Sequence, residues 1–370
     1  MIEISRYEVP EGVSEYHVVV RVTNPRLAYV EQVEEVLAAY TRLLEGELKG
    51  ATAVFKRFFV SDAANQAGYL QTLLAGTSDC PFSVVEQPPL DGTKIAFWAY
   101  LQKGVQAQGL ANGMFGVKHG AYHHLWMAGA CCQAAGSEEQ TRLLLNDYVA
   151  KLQERGCKLA DHCIRTWFFV QNVDVNYAGV VKARNEVFDT QNLTKETHFI
   201  ASTGIAGRHA DSKVTVQMDA YAVEGIREGQ VHYLYAPTHL NPTYEYGVSF
   251  ERGTYVDYGD RRQVFISGTA SINNKGEVVH PGDVRMQTLR MWENVEALLA
   301  EAGCTFAHVG HLLVYLRDMA DYLVVKEMFE ERFPDIPKVF LLAPVCRPGW
   351  LVEMECMAVK PIVNEAFPAF

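Results

Sequence analysis

The chain has 370 residues, of which 49% are hydrophobic, 11% aromatic and 21% charged. That make-up excludes an intrinsically disordered chain, and the length allows two or three domains of roughly 100 to 200 residues each. A formal charge of −11, with no Lys/Arg-rich run, argues against nucleic acid as a partner. No apolar stretch of about 18 residues occurs, and the opening residues lack a basic-then-apolar leader. Membrane spanning and secretion are therefore not expected, and the cytoplasm is the expected location.

Taken in chain order, the first predicted elements are a helix in EQVEEVLAAYTRLL, a strand in ATAVFKRFFVSD after Gly50, a short helix, and a closing strand KIAFWAYL from Lys94. A second set follows. It has a strand HLWMAGACC from His124, a helix through Gln140 and Thr141, a strand CIRTWFFV from Cys163, another helix, and a closing strand VTVQMDAYAV from Val214 to Val223. The third set runs QVFISGTAS from Gln263, a helix between Asp283 as N-cap and Gly303, HLLVYL from His311, a second helix, and WLVEMECMAV from Trp350 to Val359. Met291, Val295, Leu298, Leu299 and Ala302 form the apolar face of its first helix.

The last two sets share an offset: Gln140-Thr141 stands seventeen residues before Cys157, and Gln287-Thr288 stands seventeen before Cys304. Such register identifies an internal repeat. Each unit reads β, α, β, α, β, with expected boundaries 1–110, 111–228 and 229–370. Helices covering one sheet face leave the other to be buried against sister units. An α+β chain of three units closed into a pseudo-trimer is therefore expected, a monomer with its three-fold repeat inside one polypeptide.

The eight cysteines at 80, 131, 132, 157, 163, 304, 346 and 356 include no Cys-x-x-Cys pair, so buried thiols are the expectation, Cys131 and Cys132 included. His123 and His124 have no partner at metal spacing, and there is no Gly-rich phosphate loop or Gly-x-Ser-x-Gly elbow. No metal and no cofactor are expected.

Aligning the closing strands places Ala96, Gln217 and Glu353 at one position, where only the third unit keeps an acid. Residues two apart on a strand share a face, so Glu353 and Glu355 point together toward the neighbouring unit. Arg165, Arg252, Arg347 and Lys338 are candidate anion binders, the arginines favoured because their planar fork matches a carboxylate. Tyr246 and Gly247, in a Tyr-rich loop after Pro242, are candidate ring contacts. Ser202-Thr203-Gly204 and Ser267-Gly268-Thr269 read as turn-permitting segments whose amides either bind a carboxylate or only allow close packing.

The segment from Val264 to Val359 resembles a complete Rid (YjgF-like, endoribonuclease L-PSP-like) domain, whose members form homotrimers with ligand sites between subunits and share a chorismate mutase-like fold. IRTWFFVQNVD, ARNEVF, HFIASTGIAGR, TYEYGVSFERGTYV, SGTASI and VCRPGWLVEME together resemble the chorismatase branch of that superfamily, over roughly residues 140 to 359.

The resemblance implies a functional glutamate at Glu353. It also implies an enzyme that cleaves the enolpyruvyl ether of chorismate, a small anionic carboxylate, to pyruvate and a hydroxybenzoate or dihydrodiol. Cys346 matches the position at which 3-hydroxybenzoate-forming members carry cysteine. A glutamate acting as general acid near neutrality needs its pKa raised by about 2 from ~4.3, about 2.7 kcal/mol. Two alternatives stand beside this reading. One is Rid-type imine or enamine deamination, which the family implies needs an arginine fifteen residues before the glutamate, where this chain has Lys338. The other is a metabolite-binding protein without turnover.

Overall fold

The computed structural model describes residues 1–76 and 80–370. Three mixed sheets follow one another along the chain. The first contains β1 (Ile2–Tyr7), β2 (Ser14–Arg21), β3 (Thr52–Val60), β4 (Phe82–Glu86) and β5 (Ile95–Lys103), with helices α1 (Tyr29–Glu45) and α2 (Ala63–Ala75). The second contains β6 (Gln106–Gly109), β7 (Phe115–His119), β8 (Tyr122–Cys131), β9 (Cys163–Val170), β10 (Ala201–Ala206) and β11 (Val216–Glu224). Its helices are α3 (Gly136–Gln153), α4 (Leu159–His162) and α5 (Val173–Thr190). The third contains β12 (Val231–Leu234), β13 (Gly253–Asp257), β14 (Arg261–Ala270), β15 (Val309–Leu316), β16 (Lys338–Leu342) and β17 (Val352–Pro361), with α6 (Val284–Glu301) and α7 (Tyr322–Arg332).

In each sheet the closing strand (β5, β11, β17) lies antiparallel between its two neighbours, and one outer strand (β4, β10, β16) runs parallel to the strand beside it. These parallel strands were not anticipated. The small residues of Ser202-Thr203-Gly204, read as turn-permitting, lie inside β10. The local reading failed there because pairing with β9 overrides the low strand propensity of Gly and Ser.

The units close a ring. Glu86 bridges Arg208 between the first and second, Ala201 bridges Glu251 and Ile205 bridges Val345 between the second and third, and Pro89 bridges Leu341 between the third and first. Helices cover one face of each sheet. The opposite faces meet in a shared core that includes Phe55, Trp98, Trp126, Trp167, Tyr221 and Phe265, all 0–2% exposed. The expected apolar face of α6 is buried throughout, and Asp283 caps the helix by accepting from the Met286 amide at 3.0 Å.

A buried glutamine ties each unit together in the same way. Gln140 in α3 accepts from the Val216 amide and donates to the Lys213 carbonyl. Gln287 in α6 accepts from Leu351 and donates to Gly349 and His280. Gln32 in α1 accepts from Lys94 and donates to Pro25 and Leu27. In every unit a side-chain amide in the first helix satisfies backbone groups at the entry to the closing strand, where the ladder has not yet begun. Among the described residues no helix is long and apolar enough to cross a membrane.

Candidate active site

The closing strand of the third unit faces β9 and β10 of the second, and the cleft between them holds Glu353 and Glu355. The register pairs Glu353 with Ala270 on β14 and with Tyr315 on β15. The matching partners are Cys131 for Gln217 and Arg21 for Ala96, so the three positions are equivalent in space. Along β14 the pairing with β17 skips between Ile266 and Thr269, a bulge that leaves Ser267 and Gly268 out of register. A Cβ on Gly268 would meet the Glu353 carboxylate, so this residue gives the acid its space. The Gly268 amide donates to Thr203 Oγ1 and the Ser202 amide to Ser267 Oγ. The close-packing reading of these two segments is the one the bonds support, because both amides are already engaged.

Glu353, Cys346, Arg252, Arg347 and Tyr246 line one cavity between the second and third units, together with Tyr177, Arg184, Phe250 and Trp350. Glu353 is 5% exposed. Burial and the adjacent Glu355 push its pKa up to about 8; Arg165 and Arg252 pull the other way, and no hydrogen bond among the described residues holds its anion. Burial, reinforced by Glu353, pushes the Cys346 thiol up to about 12, so it stays neutral. The Arg347 guanidinium lies 4.4 Å from the Tyr246 ring centroid and 5.1 Å from that of Trp350. Arg252 is held by the Asn241 carbonyl at 2.9 Å and stands 5.6 Å from the Tyr246 ring.

Arg165 and Glu355 take a different part. Arg165 donates to Glu355 at 2.8 Å and to Thr203 Oγ1, and Trp167 Nε1 donates to Glu355 at 2.9 Å. Thr203 completes the set, and the Arg57 guanidinium reaches Glu355 at 3.7 Å from the first unit. Neither residue lines the cavity. The expected substrate anchor Arg165 is engaged by a protein carboxylate, and Glu355 by three hydrogen-bond donors and the Arg57 ion pair, so both lie in a charged floor behind Glu353.

Lys338 lies elsewhere, its ammonium donating to the Phe333 and Ile336 carbonyls at 2.9 Å each, at the edge of a separate cleft between the third and first units. The ring explains the misplacement. A strand fifteen residues before Glu353 belongs to the same unit and therefore faces the next cleft, while the Glu353 cleft receives the equivalent strand of the second unit. Lys338 pairs with Leu312 as Ser202 pairs with Thr166, and Ser202 is the residue that lines the cavity. Gly247 also falls outside: it is exposed, ends a 3₁₀ turn at φ 82°, and accepts from Asn185 through its carbonyl at 3.1 Å. Cys131 is exposed and Cys132 half-buried, correcting the expectation of buried thiols there.

Arg184 was missed by sequence reasoning. It is 0% exposed, lines the cavity, and none of its guanidinium nitrogens finds an acceptor among the described residues; Phe168 and Phe250 flank it at about 6 Å. The signal was present: Val180, Ala183, Val187 and Phe188 mark the buried face of α5, and Arg184 interrupts it. The Trp350 indole N–H is likewise buried without an acceptor. A buried arginine with no counter-charge is costly, and a ligand carboxylate is what this arrangement accommodates.

The cleft between the first and second units carries different residues at these places. Gln217 occupies the place of Glu353. Asp219, at the place of Glu355, is bonded by Arg57 at 2.7 Å, Ser83 at 2.9 Å and the Gly129 amide at 2.7 Å, with both partners of the ion pair fully buried.

Residues 250–360 match the family model described as Endoribonuclease L-PSP. A RutC family protein of Pyrococcus abyssi is 35% identical over 100 residues, covering 26% of this chain and 78% of that protein. The 3-aminoacrylate deaminase RutC of Acinetobacter baylyi is 33% identical over 97 residues, covering 26% and 77%. The 3-hydroxybenzoate synthase of Streptomyces hygroscopicus is 31% identical over 220 residues, covering 52% of this chain; the chain spans 62% of that protein's length. A chorismatase crystal structure superposes over 93% of this chain and 98% of its own, with a TM-score of 0.68 at 19% identity. The repeated sheet, the family model and the RutC relatives agree: the chain belongs to the Rid (RutC, endoribonuclease L-PSP) family, and its ring of three units has the fold of the chorismatase structure.

Proposed function

We propose that this protein cleaves the enolpyruvyl ether of chorismate and releases pyruvate. The observation that carries the reading is Glu353, a buried acid whose pKa near 8 keeps it protonated at neutral pH, facing a cavity that also holds Arg184, Arg252 and Arg347. Chorismate carries two carboxylates. Three guanidinium groups around one cavity match that charge, and no carboxylate among the described residues forms an ion pair with Arg184.

In the reaction, Glu353 gives its proton to the terminal methylene carbon of the enol ether. The double-bond electrons form the new C–H bond, and positive charge develops on the ether carbon and oxygen as an oxocarbenium ion. Glu353 leaves this step as an anion close to that charge, which stabilises it in a water-poor site. If water is the nucleophile it adds to the ether carbon and gives up a proton, and the hemiketal breaks the bond between that carbon and the ether oxygen, which takes the proton and stays on the ring: pyruvate and the dihydrodiol result. If the ring hydroxyl is the nucleophile it attacks the ring carbon that bears the ether and loses its proton, the ring-side C–O bond breaks, and pyruvate leaves with the ether oxygen. Opening of the resulting epoxide and loss of the proton from the carbon that bore the hydroxyl then give 3-hydroxybenzoate, with no net uptake of water. The neutral Cys346 thiol on the cavity wall and the match to a 3-hydroxybenzoate synthase support the second outcome.

The test is to mix the protein with chorismate, follow pyruvate, and identify the ring product by chromatography. Pyruvate with 3-hydroxybenzoate is expected, and Glu353→Gln is expected to lower release at least a hundredfold. Pyruvate no faster than the uncatalysed background, or undiminished release from Glu353→Gln, rejects the mechanism.

A further inference from the structure

Three polar residues on one face of α6 stand behind the cavity without lining it. Gln287, Arg290 and Asn294 follow one another at helical spacing, and each holds a different wall. Gln287 binds Gly349 and Leu351, which flank Trp350 on the loop that also carries Cys346 and Arg347. Asn294, 0% exposed, donates to the carbonyls of Ala270 at 3.0 Å and Ile272 at 2.9 Å, both cavity residues just past the β14 bulge. Arg290 donates to Ile272 at 3.3 Å and to His239 at 3.1 Å, at the foot of the segment that brings Tyr246 and Phe250 over the cavity.

The internal repeat supplies a control within the same molecule. Gln287 has counterparts in Gln140 and Gln32, so its bond set is a fold device common to all units. At the offset of 147 that aligns Gln287 with Gln140, the counterparts of Arg290 and Asn294 in α3 are Leu143 and Asp147, both exposed. At the offset that aligns Gln32, they are Glu35 and Ala39. Glu35 also holds the stretch after its strand, accepting from the Thr23 amide and hydroxyl, whereas Ala39 and Asp147 have no donor to offer, so among the described residues the Asn294 support alone is confined to the unit that carries Glu353.

We infer that Asn294 and Arg290 are positioning residues that fix the walls of the cavity and keep Glu353 out of water. Ala270, whose carbonyl Asn294 holds, is the ladder partner of Glu353. If the end of β14 moves, that contact opens and water reaches the acid. The charged and titratable groups facing Glu353 are Glu355 on its own strand, Arg165 on β9, Tyr315 on β15, Arg252 ahead of β13 and Cys346 on the loop before β17. None of them is touched by Asn294 or Arg290, so the effect runs through hydration rather than through a lost charge.

This inference rests on the proposed chorismate cleavage, and the experiment separates the two. Pyruvate release, its pH profile and thermal stability are compared for the wild type, Asn294→Leu, Arg290→Gln and Gln140→Met. A wild type without turnover sinks the functional reading itself. With an active wild type, Asn294→Leu is expected to lose about tenfold or more in kcat/KM and to move the alkaline limb of the profile to lower pH. Gln140→Met, a buried amide lost in the second unit, is expected to lower the melting temperature while leaving both readouts unchanged. Arg290→Gln, at a partly exposed site, is expected to fold and to raise KM. Wild-type kinetics in a folded Asn294→Leu, or an equal kinetic loss in Gln140→Met, overturns the inference. Should Asn294→Leu fail to fold, unchanged kinetics in Arg290→Gln does so.

Discussion

A Cβ added to Gly268 would stand 2.3 Å from Oε1 of Glu353, so the acid occupies volume that only a glycine leaves open. Because the obstructed atom is the end of a flexible side chain, Gly268→Ala should fold with little loss of stability while turning Glu353 out of its position. Pyruvate release is expected to fall at least tenfold in kcat/KM. A Gly268→Ala protein as active as the wild type would show that the acid has no fixed place in the reaction.

The raised pKa of Glu353 has a consequence for stability. Its folded value near 8 lies above the ordinary glutamate value of 4.5, so between those pH values the folded state binds the extra proton. The sign follows from linkage: the group favours the unfolded chain increasingly as pH rises from about 4.5 through 8. Glu353→Gln removes that titration. The variant is expected to gain in melting temperature over the wild type at pH 9 relative to pH 5, by calorimetry at the two pH values. A gap that narrows with rising pH contradicts the assignment.

Glu355 pushes the same way on Glu353 while anchoring Arg165, Trp167, Thr203 and Arg57. Glu355→Gln removes the negative charge, so the alkaline limb of the turnover profile is expected to move to lower pH. Buried Arg165 loses its counter-charge as well, while Arg57 keeps Asp219, and breaking a buried pair from one side costs about 3–5 kcal/mol. Denaturant unfolding measures that loss, and an unmoved limb in a folded variant would remove Glu355 from the account.

Arg184→Met exchanges a buried, unpaired cation for an apolar side chain of similar length. Stability is expected to rise in the ligand-free protein, while KM for chorismate rises at least tenfold, since a hydrogen bond to a charged group contributes about 1.5–3 kcal/mol. Lys338→Met, in the separate cleft, is expected to leave both kcat and KM at wild-type values. Equal effects from the two substitutions would mean that the cavity between the second and third units is not where the anion binds.

The sequence carried the repeat clearly because its evidence is redundant: a shared offset, three closing strands of one pattern, and an apolar face on α6 that packs as its spacing demands. Glu353 was legible for a related reason, since comparing sister strands exposes an acid that two of them lack. What could not be read was which unit faces which. Lys338 stands at the expected distance along the chain but across the ring, and the pairing of Arg165 with Glu355 joins residues 190 apart, beyond any local pattern. Gly204 illustrates the same limit: it looked like a turn, yet in β10 a Cβ there would fall 2.5 Å from the Tyr177 ring, so its smallness serves an aromatic neighbour. Gln32 marks the first unit as a sister of the others, although the short polar bonds that reveal this form only once the strands are assembled.

The ring has a bearing on how such a protein changes over time. In an assembly of identical copies, one codon specifies the same wall in all three clefts, and an alteration that improves one burdens the rest. Here each wall is written separately. Asp219 and Arg57 fill one crevice with a buried ion pair and Ala96 stands in another, so a change in the chamber around Glu353, built from two different stretches of the gene, leaves those walls untouched.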